Sequence, residues 1–121
     1  MPLNAEAIEQ IIVVEFVKQI ACVPVLHIAG ERKCSPQYGA MLKRLGTRAG
    51  VSDLFFPRGN EKFSGLWIEM KSNTGKATPL QLQFLDEMRA EGYMGIVANG
   101  AQEAINCIVD FYNLPGRYKK P

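Results

Sequence analysis

Two short apolar segments, residues 50–56 and 65–71, each contain one acidic residue, and this pair constrains the fold most strongly. Both segments suit pleated, mostly buried strands, yet Asp53 interrupts the first and Glu69 the second. An ionised carboxylate beside a buried strand costs several kcal/mol unless it is paired or bound to a cation. Two carboxylates on neighbouring strands also repel each other. A divalent metal ion between them would relieve both costs, so the pattern predicts a metal site on paired strands.

Lys71 lies two residues after Glu69, so both side chains project from the same face of a strand. A cation at this place can orient a nucleophilic water or stabilise charge that builds on a phosphate. Taken alone, Glu-x-Lys is usually a surface ion pair, and an isolated Asp is usually an acid at a strand end. Asp53 precedes Glu69 by sixteen residues, with the turn-forming segment 57–59 between them. This order favours a functional site over the two separate surface features.

The order Gly-x-x-Asp, hairpin, Glu-x-Lys resembles the PD-(D/E)xK nuclease superfamily, and the flanking residues narrow the resemblance to the VRR-NUC group (virus-type replication-repair nucleases). The family usually has proline immediately before the Asp, where this chain has Ser52. That proline shapes the backbone and is not a ligand. The resemblance covers nearly the whole chain, and the matching segments are residues 30–33, 42–46, 49–54, 68–71, 78–81 and 92–93.

The resemblance implies an α/β fold, a restriction-endonuclease-like sandwich with a central mixed sheet flanked by helices. It also implies metal-dependent hydrolysis of phosphodiester bonds in DNA. Mg²⁺ or Mn²⁺ would be held by Asp53, Glu69 and the backbone carbonyl of Met70. Lys71 would orient or activate the water, and Gln81 would support it.

By the same resemblance, a glutamate of the first predicted helix, residues 5–20, reaches the metal cluster. Glu6 and Glu9 are the two candidates, and they lie about one turn apart. Glu9 directly precedes the apolar run, which favours it, and Glu6 is the alternative. Both could instead be ordinary acids at a helix start. The apolar positions predicted to face the core are Ile8, Ile12, Val13, Phe16 and Ile20.

Basic residues just before Asp53 are predicted to contact DNA phosphates. The formal net charge of +2 is too small to indicate nucleic acid by itself, so any basic surface must be local. Scattered surface charges are the default interpretation, and a neighbouring metal nuclease centre favours a phosphate-contacting rim. The members of this rim are Arg32, Lys33, Lys43, Arg44 and Arg48.

The periodicity predicts the remaining elements of one domain, residues 1–121. We expect strands at 23–28 and 92–98 and helices at 36–45 and 101–112. A further helix begins at Pro79 after the cap Thr78, with Leu82, Leu85 and Met88 buried. Residues 115–121 are predicted to form a mobile basic tail.

No apolar run reaches the roughly 18 residues of a membrane span. Three scattered cysteines suit a reducing cytosol, so we expect a cytoplasmic protein without membrane contact. A compact chain of this kind resembles stand-alone, phage-type members of the group, which implies a homodimer that cuts branched DNA such as four-way (Holliday) junctions in DNA repair. Alternatives are a monomeric flap or other structure-specific nuclease, a non-catalytic DNA-binding module, and a protein-interaction domain. Candidate residues for a dimer surface are Phe63, Tyr38 and Met41.

Overall fold

The computed structural model describes residues 3–28 and 35–120. Its sheet has the strand order β1-β2-β3-β4. β1 pairs antiparallel with β2, and β2 pairs antiparallel with β3, whereas β3 and β4 run parallel. The predicted α/β architecture with a mixed sheet between helices is therefore confirmed. The strands are β1 (Leu26–His27), β2 (Leu54–Phe56), β3 (Leu66–Lys71) and β4 (Met94–Asn99).

The helices begin where capping residues predict. The side chains of Asn4, Ser35 and Thr78 accept hydrogen bonds from the first turns of the three helices that follow them. β1 is shorter than the predicted strand 23–28, because Pro24 has no N–H to donate to a sheet. The helices are α1 (Ala5–Phe16), which continues as a π-helical turn (Val17–Ala21), α2 (Pro36–Arg44), α3 (Pro79–Ala90) and α4 (Ala101–Phe111).

The two faces of the sheet have different partners. Leu54 and Phe56 of β2 and Leu66, Ile68 and Met70 of β3 are fully buried in the main core with side chains of α1 and α4. Because side chains alternate along a strand, residues 53, 67, 69 and 71 project from the opposite face. α3 packs on that face. Both acidic residues therefore lie outside the main core, on the side of the sheet that α3 partly covers.

The prediction of which α1 residues face the core was partly wrong. Val13 is buried and Phe16 packs against the core, as expected, and Val17 is buried as well. Ile8 and Ile12, however, are 48% and 46% exposed, and Ile20 is also exposed. Val13 and Val17 pack in the core, and Glu9, on the same face of α1, accepts a hydrogen bond from the start of α4. With the face of positions 6, 9, 13 and 17 inward, Ile8 and Ile12 lie in solvent.

The buried stripe of α3 also differs from the prediction. Leu85 is fully buried and Met88 is half-buried, as expected, but Leu82 is 45% exposed. Phe84 is buried in its place and packs edge-to-face on Trp67 of β3, with ring centroids 4.9 Å apart. The face of α3 that carries Phe84 and Leu85 is therefore the one that packs on the sheet.

The described part of the basic end of the chain contacts the helices, and its mobility stays a prediction. A 3₁₀ turn (Gly116–Tyr118) follows α4, and the Tyr118 ring packs edge-to-face on Phe16. Lys119 forms an ion pair with Asp110 of α4 at 2.7 Å. Among residues 3–28 and 35–120, no helix has both the length and the apolar composition of a membrane span.

Candidate metal centre

Strand pairing places the two predicted carboxylates side by side. Leu54 faces Ile68 in the antiparallel register, so Asp53, one residue before β2, comes opposite Glu69. The N–H of Met70 donates to Asp53 Oδ2 at 2.7 Å. The N–H of Ile28 donates to the Asp53 carbonyl at 2.8 Å. Asp53 is thus held from both neighbouring strands, by its side chain and by its backbone.

A third carboxylate, that of Glu6, joins this pair from α1. Glu6, Asp53 and Glu69 each offer one carboxylate oxygen, and these oxygens lie within 4.8 Å of one another. Glu69 is only 1% exposed, whereas the other two are half-buried. These three carboxylates, one of them buried, could hold a metal ion.

The ionised form of Glu69 is disfavoured by its surroundings. Burial and the adjacent Asp53 carboxyl raise the pKa of Glu69 to about 8, while Lys71 acts in the opposite direction. The Lys71 ammonium lies 3.3 Å from Glu69 Oε2, on the shared face that the spacing predicted. Glu69 Oε1 is buried and has no hydrogen-bond partner among the described residues.

This donor set fits a hard divalent cation. Mg²⁺ and Mn²⁺ prefer carboxylate and carbonyl oxygens, and each of the three side chains offers such an oxygen. A buried acceptor without a partner is costly, and a cation would satisfy Glu69 Oε1 and offset the repulsion between the acids. The residues present therefore fit the ion that the sequence predicted.

Glu9, the favoured helix candidate, lies elsewhere. Its Oε2 accepts a hydrogen bond of 2.6 Å from the N–H of Ala101, at the start of α4. The structure thus brings Glu6 into the carboxylate cluster and directs Glu9 to the end of another helix.

Gln81 has a structural role at the start of α3. Its Oε1 accepts from the N–H of Thr78 at 2.8 Å, and its own N–H donates to Thr78 Oγ1 at 3.2 Å. These reciprocal bonds form a capping box. The Gln81 amide nitrogen takes no part in that box, so its two N–H groups remain for another acceptor.

The residues of the predicted basic rim lie in different surroundings. Lys43 and Arg44 lie exposed in the last turn of α2. Arg48 instead forms an ion pair with Glu87 of α3, and its guanidinium lies over the Phe84 ring, 5.2 Å from the centroid. The positive charge of Arg48 is therefore partly neutralised by Glu87. Arg32 and Lys33 lie outside the described residues.

The sequence reasoning missed Asn99, at the end of β4. Its Nδ2 donates to the carbonyls of Ser72 and Gly75 at 2.7 and 2.8 Å. These bonds fix the loop that follows Lys71. The pair Asn99-Gly100 between a strand and a helix was an available signal, because such pairs mark tight turns.

A profile of the VRR-NUC domain family matches residues 4–102, which include every member of the carboxylate cluster. The chain belongs to the VRR-NUC family. A solved structure of a VRR_NUC domain protein has the same fold, with a TM-score of 0.72 and 28% identity over 94% of this chain and 93% of that one. No curated protein gave a significant match. The predicted family is thus confirmed, and with it a nuclease-type fold.

Ser52, which replaces the proline expected in a VRR-NUC chain, is fully buried. Its Oγ has no hydrogen-bond partner among the described residues. The carboxylate of the next residue, Asp53, nevertheless keeps its contact with Met70. The departure from the family pattern therefore leaves the Asp53 carboxylate in place.

The raised pKa of Glu69 predicts how the stability of the metal-free protein depends on pH. Between its ordinary value of 4.5 and about 8, folded Glu69 keeps a proton that the unfolded chain releases. The free energy of unfolding should therefore fall as pH rises through this window, by at most ~1.4 kcal/mol per pH unit for one proton. Urea unfolding in the presence of a chelator, at pH 5 to 8, would measure the slope.

Glu69→Gln is the matched control because the amide does not titrate. Its stability should fall less steeply over the same window. Equal slopes in both proteins would show that Glu69 titrates near its ordinary value.

Proposed function

We propose that this VRR-NUC chain is a divalent-metal-dependent endonuclease that hydrolyses phosphodiester bonds in DNA. The cluster of Glu6, Asp53 and Glu69 carries the proposal, because a cation would satisfy Glu69 Oε1, which is buried and has no hydrogen-bond partner among the described residues. Lys71 beside the cluster supplies a group suited to phosphate chemistry. A non-catalytic DNA-binding module would have no need for such a costly arrangement.

Each residue of the site has a role in the proposal. Asp53, Glu69, Glu6 and the Met70 carbonyl would hold Mg²⁺ or Mn²⁺. When bound, the metal would lower the pKa of a water ligand and neutralise charge that develops on the phosphorus. Asp53 is suited to this role because the Met70 N–H fixes its second oxygen.

Lys71 and Gln81 would act on the water and the phosphate. Lys71 is anchored 3.3 Å from Glu69 Oε2, and its remaining N–H groups can orient the attacking water. The water oxygen forms a bond to phosphorus and gives up a proton to solvent. At the same time the bond to the leaving sugar oxygen breaks, and the sugar oxygen takes up a proton from solvent. The side-chain N–H groups of Gln81, which make no hydrogen bond with the described residues, would donate to the water or the scissile phosphate. Lys43 and Arg44 on α2 would contact neighbouring phosphates.

Removal of one carboxylate charge should abolish cleavage. Asp53→Asn and Glu69→Gln keep the shape of the site, and each should lower the cleavage rate by at least ~10³, comparable to the loss of a dominant electrostatic stabiliser. Both variants should stay folded, since each relieves carboxylate repulsion. Cleavage assays and Mn²⁺ calorimetry would test this, with the exposed Glu61→Ala as control. Wild-type cleavage by either variant would refute the site.

Lys71→Ala separates chemistry from metal binding. The variant should lose cleavage because the cation beside the water is gone. It should still bind Mn²⁺ in calorimetry, since all carboxylates remain. A large loss of Mn²⁺ affinity would instead show that Lys71 holds Glu69 in place.

We also propose that the substrate is branched DNA and that the protein acts on it as a homodimer. A four-way junction presents two equivalent strands across a twofold axis, and the described part of this chain has one carboxylate cluster of the kind proposed. Paired cuts therefore need two copies joined through a self-complementary surface. Such a surface is offered by α1, which exposes Ile8, Ile11 and Ile12, and by α2, which exposes Tyr38 and Met41. Phe63 is a weaker candidate because it stacks on Phe111 and packs against the core.

Light scattering tests the dimer directly. At micromolar concentration the wild-type should have twice the 13.4 kDa mass of one chain. Ile12→Glu should shift it towards the monomer, whereas Leu82→Glu, at a similarly exposed leucine on α3, should not. On four-way junctions the dimer should cut the two equivalent strands at symmetric positions. Ile12→Glu should no longer make such paired cuts. A monomeric wild-type that prefers flaps would favour the alternative of a monomeric structure-specific nuclease.

A further inference from the structure

We infer that Glu9 is a positioning residue, which sets Glu6 in the metal cluster by joining α1 to the start of α4. The inference rests on the proposed metal function and extends it to a residue outside the cluster. The β4–α4 junction, defined here as Asn99, Gly100 and Ala101, is the anchor. It holds both α1, which carries Glu6, and the end of β3, which carries Glu69 and Lys71.

The contact of Glu9 joins two distant parts of the chain. Glu9 Oε2 accepts from the Ala101 N–H at 2.6 Å, and the two residues are 92 positions apart. Glu6 lies one turn before Glu9, so the two side chains are neighbours on the same side of α1. A helix is stiff over one turn, and fixing Glu9 therefore fixes the rotation and the height of Glu6 relative to the sheet.

The same junction holds the other half of the site. The N–H of Gly100 donates to the carbonyl of Lys71 at 2.9 Å. Asn99 Nδ2 binds the carbonyls of Ser72 and Gly75 in the next loop. Three consecutive residues thus contact the segments that carry Glu6, Glu69 and Lys71. The distance between these segments depends on one turn of backbone.

The backbone of the junction leaves little room for a different arrangement. Gly100 has φ +93°, a conformation that favours glycine. A Cβ at this position would lie 2.8 Å from Asn73 Oδ1 and 3.9 Å from Glu9 Oε2. Glu9 and the loop after Lys71 therefore meet at the same glycine.

The charge of Glu9 is satisfied without a metal ion. Gly100, the N-cap of α4, has no side chain to cap the helix. Glu9 meets this need from α1, and the positive end of the helix dipole favours its carboxylate. The hydrogen bond to Ala101 requires an acceptor at the correct reach. It does not require a negative charge.

Two substitutions of Glu9 separate a positioning residue from a metal ligand. Glu9→Gln keeps the reach and an acceptor oxygen, so its Mn²⁺ affinity in calorimetry should stay within about twofold of wild-type. Glu9→Asp keeps the charge but is one methylene shorter, so it should lose affinity about tenfold, as for other residues that orient metal ligands. A metal ligand would show the reverse order. Glu15→Ala, at an exposed position of the same helix, is the control and should not change Mn²⁺ affinity.

A double-mutant cycle shows whether Glu9 acts through Glu6. In a Glu6→Gln background, Glu9→Asp should cause no further loss of Mn²⁺ affinity. A further tenfold loss there, or a Glu9→Gln variant weaker than Glu9→Asp, would overturn the inference. If Glu6→Gln leaves affinity unchanged while Asp53→Asn lowers it, the metal function stands and the positioning role fails. If none of the cluster variants changes Mn²⁺ affinity, the proposed function itself fails.

Discussion

The burial of Glu69 beside Asp53 is the interaction on which the site depends. Two adjacent carboxyl groups, one of them almost inaccessible to water, cannot both ionise without a compensating charge. Lys71 supplies one positive charge, yet the pKa of Glu69 stays raised to about 8. We therefore expect the metal-free protein to keep a proton at the pair below about pH 8. A divalent cation would displace this proton and relieve the conflict, so metal binding and proton release are coupled in the proposed enzyme.

The rest of the fold holds this unfavourable pair together. The antiparallel register sets Asp53 opposite Glu69, and the Met70 N–H fixes the orientation of the Asp53 carboxylate. The parallel pairing of β3 and β4 brings the end of β3 next to the start of α4. The strand pairings and the bond from Gly100 to Lys71 are backbone hydrogen bonds, which stay formed when a carboxylate changes its protonation state. The strand scaffold is thus independent of the charge that it positions, whereas the bond from the Met70 N–H ends on the Asp53 carboxylate itself.

One face of α1 makes three kinds of contact, and the exposed residues of the helix follow from them. One face provides Glu6 to the cluster, Glu9 to α4, and Val13 and Val17 to the core. A helix has room for one such face, so Ile8 and the neighbouring isoleucines turn to solvent. Exposed apolar area of this kind often marks an interface, which is why the proposed dimer surface lies on α1. The metal site and this surface are opposite sides of one helix.

The sequence by itself determined the order of strands and helices, the caps, the Asp53–Glu69 pair and the placement of Lys71. These features are local: alternation along a strand and a spacing of two residues decide which side chains share a face. The rotation of α1, the choice of Glu6 over Glu9 for the carboxylate cluster, and the pairing of Arg48 with Glu87 were decided only by the tertiary structure. Each depends on contacts between distant residues. The contact of Glu9 with Ala101, for example, joins positions 92 apart, and no local pattern in the chain records it.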